Sequence, residues 1–309
     1  MYFYRHLLTP VFLFTLLCGG SAIATASELA LGKFHALIIG NNDYKDPRGN
    51  WGKLMTPGEN AESLAETLRE RFDFENIVLL RNATRREIDI AFDQLSRTVQ
   101  QQDSVLVYYA GHGKIASKDL AYWIPIDANG QRTRDFISTR DIMEKLMTLS
   151  ERARHVLLIS EAPFHADAVQ ATDHNGMSIS INPRFFGKLS ATRSVQALIR
   201  VDDSYVDRES GNSGKTALSE TILNVMNNNQ APVLTLQELI NHLYRQLSKT
   251  DKRSLRFGVI NNSGDEGGEY LFTRRRATTN IQPKNTSPEP ASKPAVSPNK
   301  TVILPMVGF

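Results

Sequence analysis

Five short apolar runs recur along the chain, and most of the stretches after them carry helical spacing. The runs are Ala36–Ile39, Ile77–Leu80, Val105–Tyr109, Val156–Ile159 and Val195–Ile199. Each is four or five residues long, mostly aliphatic or aromatic, and apolar on both faces of an extended strand. Strands of that kind belong in a mostly parallel sheet covered by helices on both sides.

The segments between the runs change period. Asn60 to Phe72 puts Ala61, Leu64, Ala65 and Leu68 on one helical face. Thr84-Arg85-Arg86-Glu87 has the spacing of a capping box, in which the threonine side chain and the glutamate three residues on satisfy orphan amides at a helix start. The helix that follows turns Ile88, Phe92, Leu95 and Val99 inward. Thr139 to Leu149 reads as a third helix through Ile142, Leu146 and Leu149, and Thr216 to Asn227 as a fourth. Thr235-Leu236-Gln237-Glu238 repeats the capping box ahead of Leu239, Leu243 and Leu247. Alternating strands and helices predict an α/β fold of three layers, with a mostly parallel central sheet, helices on both faces and right-handed crossovers.

Both ends of the chain depart from this pattern. Arg5 and His6, an apolar run from Leu7 to Leu17, and Ala24-Thr25-Ala26 form the three-part layout of an export signal over residues 1–26. The run is shorter than the ~20 residues a membrane-spanning helix requires. The expectation is cleavage after Ala26 and a periplasmic or secreted product. A lipid on Cys18 is the competing route, although Leu17 stands where a small residue is wanted. Membrane association is expected only with that lipid or an uncleaved signal. From Thr278 on, six of the chain's 13 prolines gather among Ser, Thr, Asn and Lys. The domain is therefore set at 27–274, and 275–309 is expected to be a disordered Pro-rich tail. Its apolar ending, Val302 to Phe309, fits either chance composition or a strand that docks on a sheet edge.

A composition of 41% apolar and 22% charged residues is that of a globular protein. The net charge of +3 gives no ground for a nucleic-acid partner. Arg274, Arg275 and Arg276 read as a solvated edge. Gly211-Asn212-Ser213-Gly214-Lys215-Thr216 ends like a phosphate-binding loop, but Glu209 stands where that motif needs glycine and the preceding residues are polar. No nucleotide site is expected. His165, Asp167, Asp173 and His174 lack compact metal-ligand spacing, so neither metal nor cofactor is expected.

Candidate chemistry lies after the third run, where Tyr108-Tyr109-Ala110-Gly111-His112-Gly113 places a histidine between glycines at a strand's carboxyl end. Ligands and catalytic groups collect at such ends in open α/β sheets, although a packed structural histidine fits the same pattern. These residues resemble the catalytic-histidine motif of caspase-like peptidases, the metacaspase and bacterial caspase-homologue group. Ala36 to Tyr44 resembles that family's first strand and loop, Asn60 to Leu64 its first helix, Tyr122 to Ala128 the segment after the histidine, and Gly264 to Phe272 its closing strand. The resemblance runs from about Lys33 to Thr273.

The resemblance implies a cysteine nucleophile at the end of the fourth strand, shortly after an acidic residue. Here the strand continues Ser160-Glu161-Ala162-Pro163, so Glu161 takes the acidic position and Pro163 that of the cysteine. The chain's single cysteine is Cys18, inside the export signal. Ile199-Arg200-Val201-Asp202 replaces a serine-glycine stretch that would line the substrate cleft together with Gly111 and Gly113. In such an enzyme the histidine takes the thiol proton and the thiolate attacks the scissile carbonyl. Losing the nucleophile of a hydrolase costs roughly a million-fold in turnover. Ser160, the nearest hydroxyl, is expected on the opposite strand face from Pro163. The expectation is an exported, catalytically inactive relative that binds a peptide or protein. The alternative is an active hydrolase with a replacement nucleophile or a site completed by a partner.

Overall fold

The computed structural model describes residues 31–171, 183–202 and 216–275. The export signal with Cys18, Asp173, His174, the Gly211–Lys215 segment, Arg276 and the rest of the tail lie outside the described residues. All five expected strands are present: β1 (Phe34–Gly40), β2 (Phe74–Arg81), β3 (Ser104–Ala110), β7 (His155–Pro163) and β9 (Ser194–Arg200). Between β3 and β7 a small antiparallel sheet is formed by β4 (Gly113–Ser117), β5 (Leu120–Trp123) and β6 (Ile137–Ser138). The main sheet is completed by β8 (Val169–Ala171) and β11 (Leu255–Ile260), and β10 (Val233–Thr235) pairs with β12 (Leu271–Thr273).

The seven-stranded sheet has the order β2-β1-β3-β7-β9-β11-β8. β2, β1, β3, β7 and β9 run parallel, and β11 is antiparallel to both its neighbours. Among the described residues seven α-helices accompany it: α1 (Pro57–Arg71), α2 (Arg85–Thr98), α3 (Thr139–Ser150), α4 (Pro183–Ala191), α5 (Ala217–Asn228), α6 (Leu236–Gln246) and α7 (Lys249–Ser254). Both expected capping boxes form, at Thr84 with Glu87 and at Thr235 with Glu238. Each satisfies two amides that the helix start leaves without partners.

Strand alternation divides the core into two halves. Leu106, Tyr108 and Ala110 of β3 join Ala61, Leu64, Ala65 and Leu68 of α1 and the apolar faces of α5 and α6. Val105, Val107 and Tyr109 join Ile88, Phe92 and Leu95 of α2 and Ile142, Leu146 and Leu149 of α3. Burial of each Val, Leu, Ile or Phe side chain contributes about 1.5–3 kcal/mol, which is what holds helices to both faces.

Three expectations need correction. β2 is half-exposed along Ile77–Leu80 rather than buried on both faces, because it is the edge strand. The segment Gly264–Phe272 does not close the main sheet. Only Leu271–Thr273 is a strand there, and it pairs with β10, while the closing strands are β11 and β8. Arg275, assigned by composition to the tail, still donates its backbone N–H to the Arg71 carbonyl at 2.8 Å. Its neighbour Arg274 bonds the Gln230 carbonyl through Nη1 at 3.1 Å.

A buried histidine marks the amino end of β7. His155 is fully buried, its Nε2–H donates to the Ser190 carbonyl at 3.0 Å, and its Nδ1 accepts from the Ser194 hydroxyl at 2.9 Å. Burial drives its pKa down from 6.5 to about 4; the Ser190 bond opposes this, and the Arg154 charge adds to it. Because the folded value is depressed, its contribution is fully present above pH 6.5 and is lost as pH falls from 6.5 toward 4. That window should cost about 3 kcal/mol of stability. Denaturation curves between pH 7.5 and 4 should show this slope, and His155→Gln should flatten it.

Candidate functional site

Parallel pairing brings three strand ends to one rim of the sheet. Gly40 of β1 stands beside Ala110 of β3, and Tyr109 of β3 beside Ser160 of β7. Asn41 to Thr56, Gly111 to Gly113 and Glu161 to Pro163 therefore leave or end the sheet as neighbours. Carboxyl strand ends are where ligands meet open α/β sheets.

His112 is held by the loop that leaves β1. Its ring packs on Tyr44 at 4.6 Å and on Trp51 at 5.5 Å between centroids. Nε2 lies 2.8 Å from the Gly52 carbonyl. A carbonyl only accepts, so Nε2 carries a proton, and whenever the ring is neutral Nδ1 is the acceptor nitrogen. The His112 backbone N–H donates to the Tyr44 hydroxyl at 2.9 Å, which donates in turn to the Ile124 carbonyl at 2.9 Å. Tyr109 Oη also reaches Ile124 at 2.9 Å and the His112 carbonyl at 3.1 Å. Burial pushes the Tyr44 phenol far above its usual range, so it remains a neutral donor.

The loop itself is pinned from below. Asn82 Oδ1 accepts from the backbone N–H groups of Asn42 and Asp43, each at 3.0 Å. Trp51 Nε1 donates to the Gly130 carbonyl at 2.7 Å. Asp46 accepts from Arg48 N, Asn50 N, Asn50 Nδ2 and Gly130 N. Desolvation opposes ionisation there, yet these bonds hold the carboxyl at about 2.

Pro163 ends β7 directly against this histidine turn. A Cβ added to Gly113 would lie 2.8 Å from Pro163 Cδ, so only glycine fits between them. Gly111 is equally constrained, since its Cβ would lie 2.7 Å from the Tyr44 hydroxyl oxygen. The pairing of β7 with β9 runs from Ser160 opposite Ile199 straight to Pro163 opposite Arg200. Two residues, Glu161 and Ala162, thus bulge out of the ladder. The bulge breaks the simple face alternation by which Ser160 and Pro163 were set on opposite sides.

The hydroxyl of Ser160 is fully buried and bonded both as donor and as acceptor. It donates to the Ala162 carbonyl at 2.9 Å and accepts from Trp123 Nε1 at 3.1 Å. The Trp123 ring stacks on Tyr109 at 4.1 Å between centroids.

Glu161 points the other way, beneath α5, and is fully buried. Tyr108 donates to Oε1 at 2.6 Å, Thr216 donates to Oε2 at 2.7 Å, and Ser219 also donates to Oε1. No ion pair among the described residues includes it. Arg200 ends β9 beside Pro163, and its carbonyl accepts the Phe164 N–H at 2.7 Å. Its guanidinium is buried, donating to Ser254 Oγ at 3.2 Å and lying 3.7 Å from Asp202 Oδ1. The structure therefore gathers His112, Gly111, Gly113 and Pro163 at one point. Glu161 lies one layer down on the α5 side, and Arg200 and Asp202 flank the point at the next strand end.

Among the described residues no cluster of three or more His, Cys, Asp and Glu side chains is arranged to hold a metal. His165 Nδ1 is bonded to the Thr139 hydroxyl at 2.7 Å instead. Thr216, the last residue of the loop-like glycine motif, is the N-cap of α5.

The family model described as "Caspase domain" matches residues 33–262. The chain belongs to the caspase-domain family. The crystal structure of protein GSU0716 from Geobacter sulfurreducens, a structural-genomics target, is similar with a TM-score of 0.50 and 17% identity. That likeness covers 74% of this chain and 92% of the other, and it shows the fold alone. No curated protein matches the chain. Within this caspase domain, Tyr44, Trp51 and Gly52 are site residues for which the sequence reading assigned no role. Tyr44 sits in the motif quoted for the first strand and loop. Trp51 and Gly52 belong to a loop without period, whose contact with His112 is visible only in three dimensions.

Tyr44→Phe removes the hydroxyl that joins the His112 N–H to the Ile124 carbonyl. Tyr109 still serves the Ile124 carbonyl, so the loss falls on the His112 N–H. A lost partner of this kind costs about 1–3 kcal/mol. Equilibrium denaturation should show that loss, and hydrogen exchange should show faster exchange of the His112 amide.

Proposed function

We propose that this protein is an exported caspase-domain protein that binds a peptide or protein segment at the His112 rim and does not cleave it. One observation carries the reading: the residue that presses against the histidine turn at the end of β7 is a proline, whose ring has no nucleophilic atom. The single cysteine of the sequence, Cys18, falls within the export-like leader, far along the chain from β7. Ser160 does not replace a thiol on this reading, because both of its hydrogen-bonding roles are taken inside the core. Gly111, Gly113 and the buried Arg200 surround Pro163 at the rim. On this reading the partly exposed Asp202 carboxylate offers charge to a bound segment.

Export on this reading follows from the leader at residues 1–26, and protein recovered from outside the cytoplasm should begin at Ser27. A product that keeps residues 1–26 inside the cell overturns that part of the reading. Binding without cleavage is tested with purified protein and mixed-sequence peptide substrates. The expected result is retention of peptide with no turnover. Cleavage that His112→Ala abolishes would establish an active hydrolase instead.

Pro163→Cys, made on a Cys18→Ser background, probes the register directly. A thiol there is expected to sit within reach of the imidazole, which favours the thiolate. Its alkylation by iodoacetamide at pH 7 should be faster than that of free cysteine by about tenfold or more. Adding His112→Ala should return it to the ordinary rate. An unchanged rate in both variants would sever Pro163 from the histidine.

A further inference from the structure

The edge of the main sheet at β2 is bare of any strand partner among the described residues. β2 is hydrogen-bonded to β1 on one side only, and its eight residues span about 26 Å. Ile77 and Leu79 pack partly against the α1 side of the core, Val78 and Leu80 partly against the α2 side. All four remain half-exposed, so an apolar strand laid beside β2 would gain contacts on both faces. An open edge of this length and composition is one that proteins usually cover or charge.

The chain leaves the described structure beside that edge. Arg275 donates its backbone N–H to the Arg71 carbonyl, and its guanidinium reaches the Phe74 carbonyl at 3.4 Å, where β2 begins. Beyond it, at positions 302–309, lies the apolar segment Val-Ile-Leu-Pro-Met-Val-Gly-Phe. Its length matches the eight residues of β2. The roughly 26 residues between them extend at most about 90 Å, several times the length of the strand.

We propose that Val302–Phe309 adds to the sheet as a strand along the outer edge of β2. Proline fixes the register of such a strand. Alternate residues of an edge strand turn their N–H groups toward the sheet, and Pro305 has none. With Val302, Leu304, Met306 and Gly308 donating inward, Pro305 faces solvent and stops a further strand from adding. The apolar side chains then alternate over both faces, covering Ile77 and Leu79 on one and Val78 and Leu80 on the other. Tethering favours this occupant over a second copy of the chain, because a linker of this kind gives an effective concentration on the order of millimolar.

Hydrogen exchange by mass spectrometry on the full chain, and on a chain ending at Thr301, tests the proposal. The β2 amides that point away from β1 are expected to exchange about tenfold or more slowly in the full chain, consistent with millimolar effective concentration. A synthetic peptide of residues 302–309 should restore that protection to the truncated chain. Leu304→Asp in the full chain should remove it while leaving exchange in β3 and β7 unchanged. Equal β2 exchange in the full and truncated chains overturns the proposal. Protection that rises with protein concentration, together with a dimer in sedimentation, also overturns it and assigns the edge to a second copy.

Discussion

Parallel registration of β1, β3 and β7 is the constraint on which the rest of this molecule depends. Once Gly40 pairs with Ala110 and Tyr109 with Ser160, the residues that follow each strand must emerge together. Asn41, Gly111 and Glu161 are far apart in sequence but leave the sheet at one rim. The register is enforced by side chains that alternate strictly between two cores, since a slip by one residue would exchange the α1 and α2 contacts of an entire strand. The site is thus a consequence of sheet packing before any of its own hydrogen bonds form.

What the rim then does with His112 is decided by one loop. The aromatic rings of Tyr44 and Trp51 fix the plane of the imidazole, and the Gly52 carbonyl fixes which nitrogen bears the proton. In the neutral ring that leaves Nδ1 as the acceptor nitrogen, held in one orientation. On the proposed reading the acceptor survives while its proton donor does not, and the neighbouring Pro163 ring fills the space beside Gly113.

The sequence made some of this visible and hid the rest for physical reasons. The buried parallel strands announce themselves because Val105–Tyr109 and Val156–Ile159 are apolar on both faces, and Thr84 and Thr235 announce helix starts through glutamates three residues on. Strands outside the parallel set are less legible. Leu255–Ile260 carries Arg256 and Gly258 within it and borders a polar helix, so its period is weak, although it pairs along five residues with β9. The short hairpin strands β4 and β5 contain Lys114 and Ser117 and have no period long enough to read. The bulge at Glu161 and Ala162 is invisible to any counting of alternate faces. The hydroxyls around Glu161 come from residues 53 positions before it and 55 and 58 positions after it, a separation no local pattern reports.

Those hydroxyls also link the two halves of the problem, the fold and the rim. Thr216 accepts the Ser219 N–H as the cap of α5 and donates its own proton to Glu161 Oε2. A hydroxyl has one proton and two lone pairs, so a single side chain serves helix start and strand end without conflict. Ser219 and Tyr108 complete the set from α5 and β3. A buried carboxyl without an ion-pair partner is costly unless such donors surround it. The bulge of β7 and the first turn of α5 therefore stand or fall together. Movement of α5 away from the sheet would strip Glu161 of two of its three donors, and the bulged segment that places Pro163 against Gly113 would lose its anchor. The end of β7 is in this sense held from beneath by a helix that never reaches the rim itself.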